Sequence, residues 1–188
     1  MKNSVNAMYK IMKIEKISTE NIKDIKSVNE PFEIIGRLKP VFVNDEWTYT
    51  EELLSDPYMH SYPDDDTDYS EYIDDPDKTV FLAYVEGSFA GRIIVRKDWN
   101  KYAFIEDISV LKSFRGQGAG TALIRKTAEW AKSEGMNGLA LETQDNNLLA
   151  CRFYSKCGFV LGAVNTMLYR NLDKPFCDSV ALYWYLKF

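Results

Sequence analysis

Short alternations of apolar and polar residues dominate the first two thirds of the chain, and a period near 3.6 appears only later. Lys13 to Ile17 alternates as a strand, and Ser18 or Thr19 then caps a short helix running to about Val28, with Ile22 and Ile25 turned inward. Phe32 to Val43 and Trp47 to Leu54 are rich in β-formers, and Asn44-Asp45-Glu46 between them predicts a hairpin. Asp56 to Asp77 reads as a connection with one helical turn near Tyr69 to Ile73. Three strands follow, at Thr79 to Val85, Phe89 to Arg96 and Tyr102 to Val110, joined by turns at Glu86-Gly87-Ser88 and Asp98-Trp99-Asn100. From Gln117 to about Glu134 the period changes. Leu123, Ile124, Thr127, Ala128 and Ala131 then share one helical face, and Gly135 ends the helix.

The remaining pattern is a strand at Leu139 to Thr143, a helix from Asn147 to Lys156 stopped by Gly158, and strands at Phe159 to Tyr169 and Val180 to Phe188. Antiparallel strands followed by a β-α-β unit imply one α/β domain over residues 12–188. Residues 1–11 read as an N-terminal extension, with Met12 as an alternative start.

Composition narrows the chemistry. No apolar run approaches the ~20 residues that span a bilayer, and the first 16 residues lack the apolar core of a secretory signal. Neither a membrane partner nor a bound metal is expected. Cys151, Cys157 and Cys177 show no C-x-x-C spacing, which suits free thiols in the cytoplasm. His60 is the only histidine, so paired-histidine zinc sites are excluded and a Ser-His-Asp hydrolase is disfavoured.

Charge is segregated. Asp45 to Asp77 holds 13 acidic residues and no Lys or Arg, leaving 15 acidic against 23 basic residues elsewhere. The basic remainder suits a polyanionic ligand and the acidic stretch a cationic one, unless that stretch is merely a solvated loop. No concentrated basic stripe exists for nucleic acid.

The most informative segment is Phe104-Ile105-Glu106-Asp107-Ile108-Ser109-Val110, then Arg115-Gly116-Gln117-Gly118-Ala119-Gly120. A glycine turn opening a helix brings free N–H groups and the helix dipole onto one spot, and pyrophosphate is the natural occupant. The lysine of a P-loop is missing after Gly120, and the glycine spacing is not that of a dinucleotide fingerprint.

With Asn147, Ala150, Phe153, Tyr154, Gly158 and Phe159 in N-x-x-A-x-x-F-Y-x-x-x-G-F order downstream, this segment resembles the GNAT acetyltransferase superfamily over roughly Phe89 to Tyr169. The strings IEDISV, FRGQGAG, LETQDNN and TMLY further resemble bacterial streptothricin acetyltransferases, over about Pro31 to Phe188. The resemblance implies a mixed, mostly antiparallel sheet, flanked by helices, whose central strands 102–110 and 138–144 splay apart. It implies acetyl-CoA as cosubstrate, with the pantetheine arm on the backbone of Ile108, Ser109 and Val110. Arg115, Gly116, Gln117, Gly118, Ala119, Gly120 and Thr121 would hold the pyrophosphate, and Asn147 would touch the coenzyme. The implied acceptor is a cationic small molecule, streptothricin, acetylated on its β-lysine arm. Another polycation, or a non-catalytic acyl-CoA sensor, are the alternatives, and monomer and homodimer both stay open.

Amide formation requires a neutral amine, an oxyanion donor and a proton for the departing thiolate. A carboxylate or a water bound to one must deprotonate the ammonium, whose pKa is near lysine's ~10.4. Glu106 and Asp107 are adjacent on a strand, so alternation predicts opposite faces. Glu106 is the expected base route, Asp107 the acceptor contact, and Glu142 a third carboxylate. The backbone N–H near Val110 is the expected oxyanion donor, Tyr154 the expected acid, and Trp99 a candidate to enclose a cation.

Overall fold

A computed structural model describes residues 11–27, 30–63 and 66–188. The predicted extension therefore lies outside the described residues except for Ile11, as does Val28, the expected end of the first helix. Among the described residues, nine strands and two α-helices carry the fold. These are β1 Met12–Lys16, β2 Phe32–Val43, β3 Glu46–His60, β4 Lys78–Val85, β5 Ser88–Lys97, β6 Tyr102–Val110, α1 Ala119–Ser133, β7 Gly138–Gln144, α2 Leu148–Lys156, β8 Val160–Asn165 and β9 Ala181–Lys187. Short 3-10 turns occur at Ile22–Ser27, Tyr69–Tyr72, Lys112–Phe114 and Phe176–Asp178.

Seven strands form one sheet in the order β1-β4-β5-β6-β7-β9-β8. Every neighbour is antiparallel except β6 and β7, which run parallel because α1 provides the crossover between them. The inward stripe of α1 (Ala119, Leu123, Ile124, Thr127 and Ala131) is buried with Ile93, Val95 and Leu139 on one face of the sheet. The other face is covered more thinly. Ile25 from the first 3-10 turn and Tyr69 and Tyr72 from the second pack there on Val80, Leu82 and Ile94.

β2 and β3 form a separate two-stranded sheet. Asn44 and Asp45, at φ 52° and 63°, make its turn, a left-handed pair suited to the twist of a hairpin. A lone hairpin is barely stable in water, so its attachment matters. The Leu38 N–H donates to the Asp145 carbonyl at 2.8 Å, and Arg37 pairs with the buried Asp145 carboxylate at 3.1 Å. Farther along, the Tyr49 hydroxyl donates to Ser155 at 3.1 Å, and Arg152 of α2 pairs with Glu51.

Two segments differ from expectation. β3 runs past Pro57 to His60, because the ladder is irregular between Ile34 and Gly36 and a proline is tolerated where no ladder donor is needed. The strand expected to reach Tyr169 stops at Asn165, whose side-chain oxygen accepts from the N–H groups of Met167 at 2.9 Å and Leu168 at 3.1 Å and turns the chain. The acidic stretch is also no simple loop. Glu51, Glu52, Glu71, Asp75 and Asp77 all lie in ion pairs with Lys or Arg. Asp64 and Asp65 lie outside the described residues. Among the described residues no helix is long and apolar enough to cross a membrane.

Candidate active site

The parallel ladder between β6 and β7 runs from Tyr102–Gly138 to Ile105–Leu141 and stops. Beyond it β6 continues against β5 alone, through Asp107, Ile108, Ser109 and Val110. β7 continues against β9 alone, through Glu142, Thr143 and Gln144. Each strand thus turns an unpaired backbone edge toward the other, and the two edges bound a fork in the middle of the sheet. Backbone groups on such an edge need a partner, and an extended amide-bearing ligand fits that need.

The upper side of the fork is a backbone device. Residues 115–118 are exposed, and Gly116 and Gly118 have φ of 74° and 91°. Gly118 caps α1 in a left-handed conformation that a side chain would strain. Ala119, Gly120 and Thr121 follow in the first helical turn, where N–H groups have no intrahelical acceptor. The Arg115 Nε donates to the Val110 carbonyl at 2.9 Å, and Gln117 donates to the Ser113 carbonyl at 2.7 Å. Exposed Lys112 and Arg115 flank the turn with positive charge. These features fit a pyrophosphate at the helix start and a pantetheine arm along the fork. Gly120 has a different reason to be small, since a Cβ there would lie 3.0 Å from the Phe153 ring. Its role is the close approach of α1 to α2. Thr121 likewise reaches α2, where its hydroxyl bonds the Cys157 thiol.

The carboxylates depart from the expected alternation. The β5–β6 register slips between Ile94 and Val95, which face Asp107 and Ile105, so Glu106 is an extra residue in a β-bulge. The bulge turns Glu106 and Asp107 to the same face. Arg96 Nε donates to Glu106 at 3.1 Å and Arg92 Nε to Asp107 at 3.0 Å, from two positions on one face of β5. The Tyr72 hydroxyl adds a bond to Glu106 at 3.2 Å, and Ser109 donates to Asp107 at 3.0 Å. Ser109 therefore spends its hydroxyl on Asp107.

Glu142 is the first residue of β7 past the last paired position. It is largely buried, accepts a 2.7 Å bond from the Tyr169 hydroxyl, and burial raises its pKa above the usual carboxylate range. Tyr154 projects from α2 and is 7% exposed, between the rings of Phe159 and Trp184. Burial raises its pKa, with the charges of Asp107 and Glu142 adding to the shift, so the phenol stays protonated. Tyr62, just past β3, is pushed up to about 12, chiefly by burial, with the charges of Glu142 and Asp107 among the contributions. Its phenol accepts from the Asn147 amide, while the Asn147 oxygen accepts from the Ala150 N–H at 3.3 Å as the cap of α2. The Asn147 side chain is thus engaged by its own helix and by Tyr62.

The strands place Glu106, Asp107 and Glu142 at the fork, the charges of Asp107 and Glu142 reach Tyr154, and Trp99 is not brought there. Trp99 is 90% exposed in the β5–β6 turn, beyond the end where β6 and β7 are still paired. Sequence reasoning missed Tyr62, Tyr72, Tyr169 and the two arginines of β5. Only the recurrence of tyrosine through and beyond the acidic stretch hinted at the phenols.

The acetyltransferase (GNAT) family model matches residues 47–159, from the start of β3 to just past α2. The chain belongs to this family. As a GNAT acetyltransferase it uses acetyl-CoA, consistent with the fork and the glycine turn. It is 50% identical to streptothricin acetyltransferase A of Bacillus subtilis over 175 residues, covering 93% of this chain and 99% of that one. It is 32% identical to a streptothricin acetyltransferase of Escherichia coli, across 81% of this chain and 83% of the relative. A crystal structure of a Bacillus anthracis protein assigned as a streptothricin acetyltransferase, with acetyl coenzyme A bound, superposes with a TM-score of 0.87. It shares 38% identity, covering 95% of this chain and all of that one.

Proposed function

We propose that this GNAT acetyltransferase transfers the acetyl group of acetyl-CoA to an amine on the β-lysine arm of streptothricin, inactivating the antibiotic in the cytoplasm. The observation that carries this reading is the 50% identity to a streptothricin acetyltransferase over nearly the whole of both chains. That span includes β3, the 165–172 turn and the LETQDNN segment, which build the acceptor side. The charge of that side supports it, because Asp107 and Glu142, whose charges both reach Tyr62 and Tyr154, suit the entry of a cationic amine. Three free cysteines among the described residues suit a reducing compartment.

Acetyl-CoA, when bound, supplies an acetyl group activated as a thioester. The backbone of Ile108, Ser109 and Val110 aligns the pantetheine arm, and an N–H at this edge stabilises negative charge on the acetyl oxygen. Residues 115–121 hold the pyrophosphate through backbone N–H groups and helix dipole. Tyr154, kept protonated by burial, gives its proton to the departing sulfur and recovers one from the new amide nitrogen. Mass spectrometry of streptothricin after incubation with protein and acetyl-CoA tests the reading. One added acetyl group on the β-lysine arm is expected, and unmodified streptothricin beside an acetylated alternative polycation would contradict it.

A further inference from the structure

Three carboxylates stand at the fork, and they are not electrostatically equivalent. Glu106 is compensated by the Arg96 guanidinium and Asp107 by Arg92, each in a direct ion pair. Glu142 has no such partner. Among the described residues no Lys or Arg contacts it, and its one hydrogen bond comes from the neutral Tyr169 phenol at 2.7 Å. The groups around it are phenols, a thiol and other acids. Its charge is felt by Tyr62 past β3, by Cys151 and Tyr154 on α2, by Tyr169 on the 165–172 turn and by Tyr183 on β9. Across the fork stand Glu106 and Asp107 on β6.

A largely buried carboxylate without a cation carries a desolvation cost that an incoming cation relieves. A carboxylate already held by a guanidinium offers an ammonium a shallower electrostatic well. We propose that Glu142 receives the reacting ammonium of the acceptor and takes its proton, with Tyr169 as the positioning residue that aims its carboxylate into the fork. Glu106 and Asp107, fixed by their arginines, then orient the acceptor and take no proton.

The step balances. One N–H bond of the ammonium breaks, its electron pair stays on nitrogen, and an O–H bond forms on Glu142. The freed pair bonds the acetyl carbon while the carbon–sulfur bond breaks. Sulfur takes the Tyr154 proton, and Tyr154 recovers a proton from the nitrogen. The products are an amide, a free thiol and one proton, which Glu142 returns to water. Burial favours this assignment, because a carboxylate whose affinity for protons is raised is a better proton acceptor near neutral pH.

This inference rests on acetyl transfer to an amine and not on which amine. Wild-type protein is therefore first assayed with streptothricin, kanamycin, spermidine and lysine. Failure on streptothricin alone overturns the acceptor reading and leaves Glu142 to be tested on the amine that is turned over; failure on all four overturns both. Glu142→Gln keeps an acceptor for the Tyr169 hydroxyl and should lower kcat/KM by about 10²–10⁴-fold. It should also abolish the acid limb of the pH profile while acetyl-CoA affinity is retained. Glu106→Gln should cost less than about tenfold and keep that limb. The phenol's hydrogen bond stabilises the ionised carboxylate, so Tyr169→Phe should raise the Glu142 pKa. The acid limb then moves to higher pH with the plateau rate largely kept, a shift a merely structural role would not give. An intact acid limb in Glu142→Gln, or an equal loss in Glu106→Gln, would overturn the proposal. If Glu142→Gln does not fold, the direction of the Tyr169→Phe shift decides.

Discussion

The two sides of the fork are built on different principles. The coenzyme side is local and made of backbone: one strand, one glycine turn and one helix start, contiguous from Asp107 to Thr121. The proposed acceptor side is assembled from side chains far apart in the chain: Tyr62 after β3, Tyr72 from a 3-10 turn, Glu106 and Asp107 on β6, Glu142 on β7 and Tyr169 from a late turn. A contiguous backbone site tolerates side-chain change and serves many relatives. A dispersed side-chain site can change one element at a time, and in the proposed reaction it is where the acceptor is selected.

After Glu142→Gln, the largest expected effect lies where the sides meet. Tyr154→Phe should lower kcat by about 10- to 10³-fold and leave acetyl-CoA affinity nearly unchanged, as loss of a proton donor requires. Stopped-flow or steady-state thiol release checks this, and an unchanged rate would reduce the phenol to core packing. Next, Gly118→Val forces a β-branched residue to φ 91° at the helix start. It should weaken acetyl-CoA binding by roughly 10- to 100-fold in calorimetry, about 1.4 kcal/mol for each factor of ten.

Gly120 sharpens the comparison, because it belongs to the motif and yet its neighbour is Phe153. Gly120→Leu overpacks the α1–α2 contact and should cost about 1–3 kcal/mol of stability. Thermal unfolding should report it, and coenzyme affinity in the folded fraction should change less than for Gly118→Val. Equal losses of affinity would mean both glycines face the ligand.

The smallest effect belongs to the acidic stretch. Asp66→Asn with Asp68→Asn should raise the acceptor KM no more than a few-fold and flatten its salt dependence over a Debye length of roughly 8–10 Å. The acetyl-CoA KM should hold level. The effect is small because several neighbouring carboxylates are already in ion pairs, and Asp68 caps the Tyr69–Tyr72 turn by accepting from the Ser70 N–H at 3.0 Å. A shift in the coenzyme constant instead would place the stretch on the other side of the fork.

This contrast also explains what could be read from the amino-acid order. The strand-turn-helix at Tyr102 to Ser133 was legible, because glycine positions and helical period are local signals. So were the start of the second helix at Asn147 and the glycines that end both helices, Gly135 and Gly158. The orientation of Glu106 was not. Alternation placed it opposite Asp107, and only the β5 register reveals the bulge that puts both on one face. Tyr169 was read as strand because nothing local marks the side chain of Asn165 as a turn-maker. Tyr62 and the β5 arginines join the site through tertiary pairing, which has no local pattern.

The most direct test of the account is the acceptor dependence of thiol release from acetyl-CoA by the wild-type protein. Streptothricin should trigger release that saturates with acceptor and exceeds that with kanamycin or spermidine by at least about 10²-fold in kcat/KM. Release that is equal for all the amines, or absent with streptothricin, would contradict a dispersed acceptor side selected for this antibiotic.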